Sequence, residues 1–257
     1  MTAQKAGRPR RTGRHRRRQL PVGTIAGLIV ALSGVGMVSA NVLPWEPSDP
    51  ASVVPATSQG SSSPMTPEPS PSPVPPLLRS VVEEVPSASG ELRVVEGDGE
   101  VVGEGTLLRY LVEVEEGLPG DPADFAAAVE HVLSDPRSWT HDGTLAFQRV
   151  DEEPVDFRVT LASPETVDQQ CAPLQTNGYV SCFSGERAMI NQNRWVSGVP
   201  HFDGDLETYR AYVINHEVGH ALGYGHVDCP APGEPAPVMQ QQTFGLQGCE
   251  KNGWVSP

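Results

Sequence analysis

The stretch His216-Glu217-Val218-Gly219-His220-Ala221-Leu222-Gly223-Tyr224-Gly225-His226 holds three imidazoles and one carboxylate within eleven residues. On a helix, His216 and His220 lie one turn apart on the same face, where both rings can hold one metal ion. Glu217 sits about 100° further round and faces the open side of that ion without ligating it. Gly223 lets the chain leave the helix in a conformation other residues avoid, so that His226 can return as a third ligand. Three neutral imidazoles suit a catalytic Zn²⁺ and leave a fourth position for water. Zinc lowers the pKa of that water from 15.7 towards about 7. Glu217 then serves as general base and later passes the proton to a leaving amine. The chemistry expected is amide hydrolysis with one catalytic Zn²⁺: a zinc-dependent endopeptidase acting on a peptide or protein substrate.

The elements that must position these residues are also legible. Leu107 to Glu115 alternates as a strand, and so does Val155 to Leu161. Asp121-Pro122 opens a helix that carries Phe125, Val129, Val132 and Leu133 at helical spacing and closes at Asp135-Pro136. Arg187 to Trp195 reads as a further strand. Asp205 caps a helix from about Leu206 to Leu222, with Ile214, Val218, Ala221 and Leu222 as its core-facing stripe. Strands with a helix between them and a helix after the sheet define an α+β (α/β-like) domain.

HEVGHALGYGH resembles the long zinc-binding motif of the metzincin metallopeptidases, and Pro237-Val238-Met239-Gln240, whose Met239 lies thirteen residues after His226, is similar to that clan's Met-turn. The resemblance implies His216, His220 and His226 as ligands, Glu217 as the catalytic base and acid, and Met239 as the structural floor of the site. It also implies a twisted sheet with a backing helix and an active-site helix under a cleft. Tyr209 to Thr243 is similar as well to an uncharacterised actinobacterial family classed as a domain of unknown function. Some metzincins place a Tyr two residues after the turn methionine; here Gln241 stands there. Val227 after the third His points to no familiar subfamily, and no Cys precedes 171 to form a cysteine switch.

The four cysteines, Cys171, Cys182, Cys229 and Cys249, allow three pairings. Cys171–Cys182 with Cys229–Cys249 is the expected set; no C-x-x-C spacing favours metal binding instead. The second bridge would clip the segment bearing Met239, a loop of about 20 residues whose closure contributes about 3 kcal/mol in the chain-entropy picture. Asp203, Asp205 and Glu207 alternate in FDGDLE, which reads either as a Ca²⁺ site or, through Asp205, as a helix cap. His201 in the same loop is a candidate to line the cleft.

The formal net charge of −14 conceals two different pieces. Residues 1–40 hold eight basic residues and no acid, while 41–257 hold ten basic and all 32 acidic residues, a net −22. The acidic bulk argues against nucleic-acid binding, which needs clustered Lys and Arg. The basic arm 1–19 precedes an uncharged apolar segment, 20–43, long enough as a helix to cross a hydrocarbon core of about 30 Å. Positive residues stay cytoplasmic, so the segment is expected to be a single-pass membrane anchor with the catalytic domain outside. A signal peptide cut near Ala40 is the alternative, and it exports the domain too. Residues 44–86 contain 12 prolines and read as a Pro/Ser-rich, disordered stalk. Residues 87–257 then form the enzyme domain, expected to be monomeric. The alternatives to a peptidase are a catalytically silent zinc-containing envelope-binding module and a metal-dependent amidase acting on cell-wall crosslinks. The negative field by itself favours basic or neutral substrates.

Overall fold

The structure, a computed structural model, describes residues 74–80 and 83–257. The arm, the apolar segment and most of the stalk lie outside the described residues. Among the described residues no helix is long and apolar enough to cross a membrane.

The chain forms a mixed α/β fold. Its elements in order are β1 (Leu92–Val94), β2 (Val102–Gly103), β3 (Thr106–Glu115), α1 (Pro122–Ser134), β4 (Leu145–Arg149), β5 (Phe157–Ala162), α2 (Pro164–Gln170), β6 (Cys182–Ser184), β7 (Arg187–Asn191), α3 (Gln192–Ser197) and α4 (Leu206–Ala221). The seven strands make one twisted sheet in the order β2-β4-β3-β5-β7-β6, and β1 adds to β3. The central pairs β3–β4, β3–β5 and β5–β7 are parallel, with Val112 opposite Val159 and Val159 opposite Ala188. The outer pairs β2–β4, β6–β7 and β1–β3 are antiparallel.

Alternation in β3 and β5 sorts side chains between two faces. Tyr110, Val112 and Val114 join Val159 and Leu161 in a core closed by Phe125, Val129, Val132 and Leu133 of α1 and by Ile214 and Val218 of α4. The other face carries a smaller core of Ala162, Val167, Met189 and the Cys171–Cys182 pair. A parallel sheet covered on both faces buries polar residues too, and the two buried glutamates of β3 are matched. Glu113 accepts hydrogen bonds from Thr160 Oγ1 (2.9 Å) and Arg187 Nε (2.9 Å). Glu115 accepts from Ser163 N and Thr166 Oγ1.

Two expectations are corrected. The strand expected over Arg187 to Trp195 ends at Asn191, and the chain turns into α3. Gln192 is the reason: its buried amide donates to Glu83 O and accepts from Val85 N, a role the side chain fills from a helix start. Trp195 then turns inward against Phe125, with ring centroids 5.0 Å apart. The stalk also yields to the fold before residue 87. Leu77 is 1% exposed within the main core, and Arg210 Nη1 of α4 donates to its carbonyl at 2.8 Å.

Candidate metal centre

Helix α4 is made by its ends. Asp205 accepts from Thr208 N at 3.1 Å as the N-cap, and its carboxylate also pairs with Lys251 at 3.4 Å. Gly223, at φ +90°, follows the last turn. Every residue from Tyr209 to Gly219 is buried, so the helix runs through the interior rather than along a surface. The expected stripe is present, with Ile214 and Val218 fully buried and Ala221 and Leu222 packed partly against the core.

The helix and the loop after it bring His216, His220 and His226 together. One nitrogen from each ring lies within 4.8 Å of the others. Two of the rings are oriented from behind. His216 Nδ1 lies 2.8 Å from Val238 O, and His220 Nδ1 lies 2.9 Å from Tyr224 O. A carbonyl only accepts, so both Nδ1 atoms carry the proton and both Nε2 atoms present a lone pair. His220 Nε2 and His226 Nε2 face each other at 3.0 Å. Tetrahedral coordination at the usual zinc–nitrogen distance sets ligand nitrogens about 3.3 Å apart. The donor set, its spacing and the backbone partners behind it therefore fit a zinc ion. Burial, with the neighbouring imidazoles adding to it, pushes His216 down to about 3 and lowers His226, so these rings stay neutral as a ligand must be.

Glu217 lines the same cleft, 4% exposed. Its Oε2 is buried and has no hydrogen-bond partner among the described residues. Burial raises its pKa to about 8. A carboxyl oxygen left unpartnered beside three histidines is a costly arrangement for a fold and a useful one for proton transfer.

Met239 lies under the helix, 6% exposed. The segment around it supports the site through its backbone: Val238 O holds His216, and Met239 O accepts from Val227 N at 3.2 Å, next to His226. A Cβ on Gly219 would run into Met239 Sδ and come within 2.7 Å of Trp139 Cζ2. Trp139 is itself fixed by its Nε1–H bond to Asn215 O at 3.0 Å. Gly219→Ala is therefore expected to destabilise the domain by about 1–3 kcal/mol through overpacking. Urea unfolding checks this, and an unchanged midpoint would show that the methionine gives way freely.

Both expected disulfides form, with Cα atoms 6.4 Å apart for Cys171–Cys182 and 5.8 Å apart for Cys229–Cys249. Each closes a loop that makes one wall of the cleft. Leu174, Gln175, Val180 and Ser181 come from the first loop, and Gln241, Thr243 and Phe244 from the second. The cleft between them encloses about 180 Å³, with the histidines and Glu217 at its floor. The ring of Phe244 lies 6.2 Å, centroid to centroid, from that of Tyr179 in the first loop. These wall residues carry no motif, and only the disulfide spacing hints at their loops. His201 is not in the wall: its Nε2–H bonds Gln242 O at 2.6 Å and ties a short 3₁₀ turn to the segment after Met239. Of the alternating acids, Asp205 spends its carboxylate on capping; among the described residues the donor group gathered at one point is the histidine triple.

The fold and site together define a mixed α/β domain whose buried helix and following loop converge three histidines and a glutamate on one cleft. Residues 81–254 match the family described as "Protein of unknown function (DUF3152)", and the chain belongs to that family. No curated protein and no solved structure matches the chain.

Proposed function

We propose that this chain is a zinc-dependent endopeptidase of metzincin type, anchored by residues 20–43 with its catalytic domain outside the cytoplasm. The observation that carries the reading is the meeting of three imidazole donors with an unpartnered Glu217 carboxylate in one cleft. His216, His220 and His226 would hold the ion. When bound, zinc supplies Lewis acidity towards water and towards a scissile carbonyl. The rest is done by the chain. Val238 O and Tyr224 O keep Nδ1 of two ligands protonated and their Nε2 atoms free. Glu217, whose ionised form a cation beside it would favour, would take a proton from the attacking water and hand it to the departing amine. The walls keep bulk water away and hold the peptide.

The walls also state a preference. Apart from Glu217 and the histidines, no charged side chain among the described residues lines the cleft, and Leu174, Val180 and Phe244 give it an apolar character. The full chain, supplied with Zn²⁺ and offered a mixed peptide library beside cell-wall fragments, is expected to cut peptides next to large apolar residues. Phe244→Ala is expected to lower kcat/KM for those peptides by about 10-fold, the value of one apolar contact. Cleavage indifferent to neighbouring residues would refute the preference. A zinc-loaded chain that cuts wall fragments alone would make it an amidase, and one that cuts neither would end the hydrolase reading.

A further inference from the structure

The loop that delivers the third histidine has no regular secondary structure, so something else must set where His226 stands. Its ends are held by backbone bonds: Gly223 N donates to His220 O, Tyr224 N to Gly219 O, and Val227 N to Met239 O. Between them one side chain stands out. The Tyr224 ring stacks on Trp139 with centroids 4.7 Å apart and planes 25° apart, although Tyr224 is 53% exposed. An exposed tyrosine lying flat on a 6% exposed tryptophan is a tie between the loop and the domain.

We propose that the Trp139–Tyr224 stack is a positioning device for the metal centre, an inference that rests on the zinc reading above. Trp139 touches the centre from two sides. Its Nε1–H donates to Asn215 O, the residue before His216, and its ring edge packs where Gly219 leaves room, one residue before His220. Tyr224, stacked on a face of the indole, presents the carbonyl that holds His220 Nδ1 and lies two residues before His226. The indole thus spans from the helix backbone to the loop, and the stack sets the Nε2 of His220 against that of His226. Without the ring of Tyr224 the peptide carbonyl remains, but the loop loses the contact that fixes its orientation.

The exposure of Tyr224 makes the test clean. Tyr224→Ala, made in the full chain, is expected to weaken zinc binding by about 10-fold or more, the range seen when an outer partner of a metal ligand is lost. The affinity is read by competition with a chromophoric chelator, and the melting temperature of the zinc-free chain is expected to stay unchanged. Tyr224→Phe keeps the ring and is expected to restore wild-type affinity. Zinc bound by Tyr224→Ala within about two-fold of wild type would overturn the inference and leave the zinc centre standing. So would a fall in the zinc-free melting temperature that accompanies the loss, since that marks a fold contact. A wild-type chain that takes up no zinc would overturn the metal centre itself, and this inference with it.

Discussion

Glu217→Gln is expected to slow peptide hydrolysis by orders of magnitude while leaving zinc bound. Gln is nearly isosteric, so the cleft and the three imidazoles keep their places, but an amide has no proton-accepting carboxylate. General acid–base catalysis contributes roughly 10²–10⁴-fold, and the loss in kcat should fall in that range. KM should change little, because Glu217 acts on the proton rather than on the peptide's side chains. Zinc content and chelator competition of the variant should match wild type, since Glu217 is not a ligand. A variant that turns over at the wild-type rate would remove Glu217 from the chemistry and favour a role in folding. A variant that loses zinc as well would make the carboxylate part of the donor set.

His226→Ala should give the largest change in metal binding for the least change in fold. His226 is exposed and sits on a loop, whereas His216 is buried in the helix with its Nδ1–H on Val238 O. Removing His226 leaves two imidazoles on one helical turn. The expected cost is at least about 100-fold in zinc affinity, above the range for outer-shell partners. Zinc in hundredfold excess over its dissociation constant should stabilise the wild-type chain by about 2.7 kcal/mol, by linkage. The same zinc concentration should stabilise His226→Ala far less, while the zinc-free forms melt together because surface substitutions rarely matter. An unaltered zinc affinity would show that His226 only neighbours the site.

The histidine spacing was readable because it is local. His216 and His220 share a helical face by the period of the helix, Asp205 caps it, and Gly223 frees its exit. The same holds for α1, bracketed by Asp121 and Asp135, and for β3 and β5, whose β-branched, alternating residues mark them as strands. The short strands β2 and β6 were not readable. Two or three residues carry no period, and such strands exist only because β4 and β7 offer them an edge. Leu77, in a run rich in proline, reads as stalk until Arg210 is seen to bind its carbonyl from 133 positions away.

Residue types and near-neighbour spacing alone pointed to three histidines, a carboxylate beside them, a helix to carry them and a favoured pairing of the four cysteines. Those features depend on bonds and torsions spanning a few residues, which any short window contains. The folded chain decided that Gln192 starts a helix, that His201 braces a turn, and that Leu174 and Phe244 line one cleft with the histidines. Those outcomes depend on which distant surfaces are buried together, and that choice is made by the packing of the whole domain.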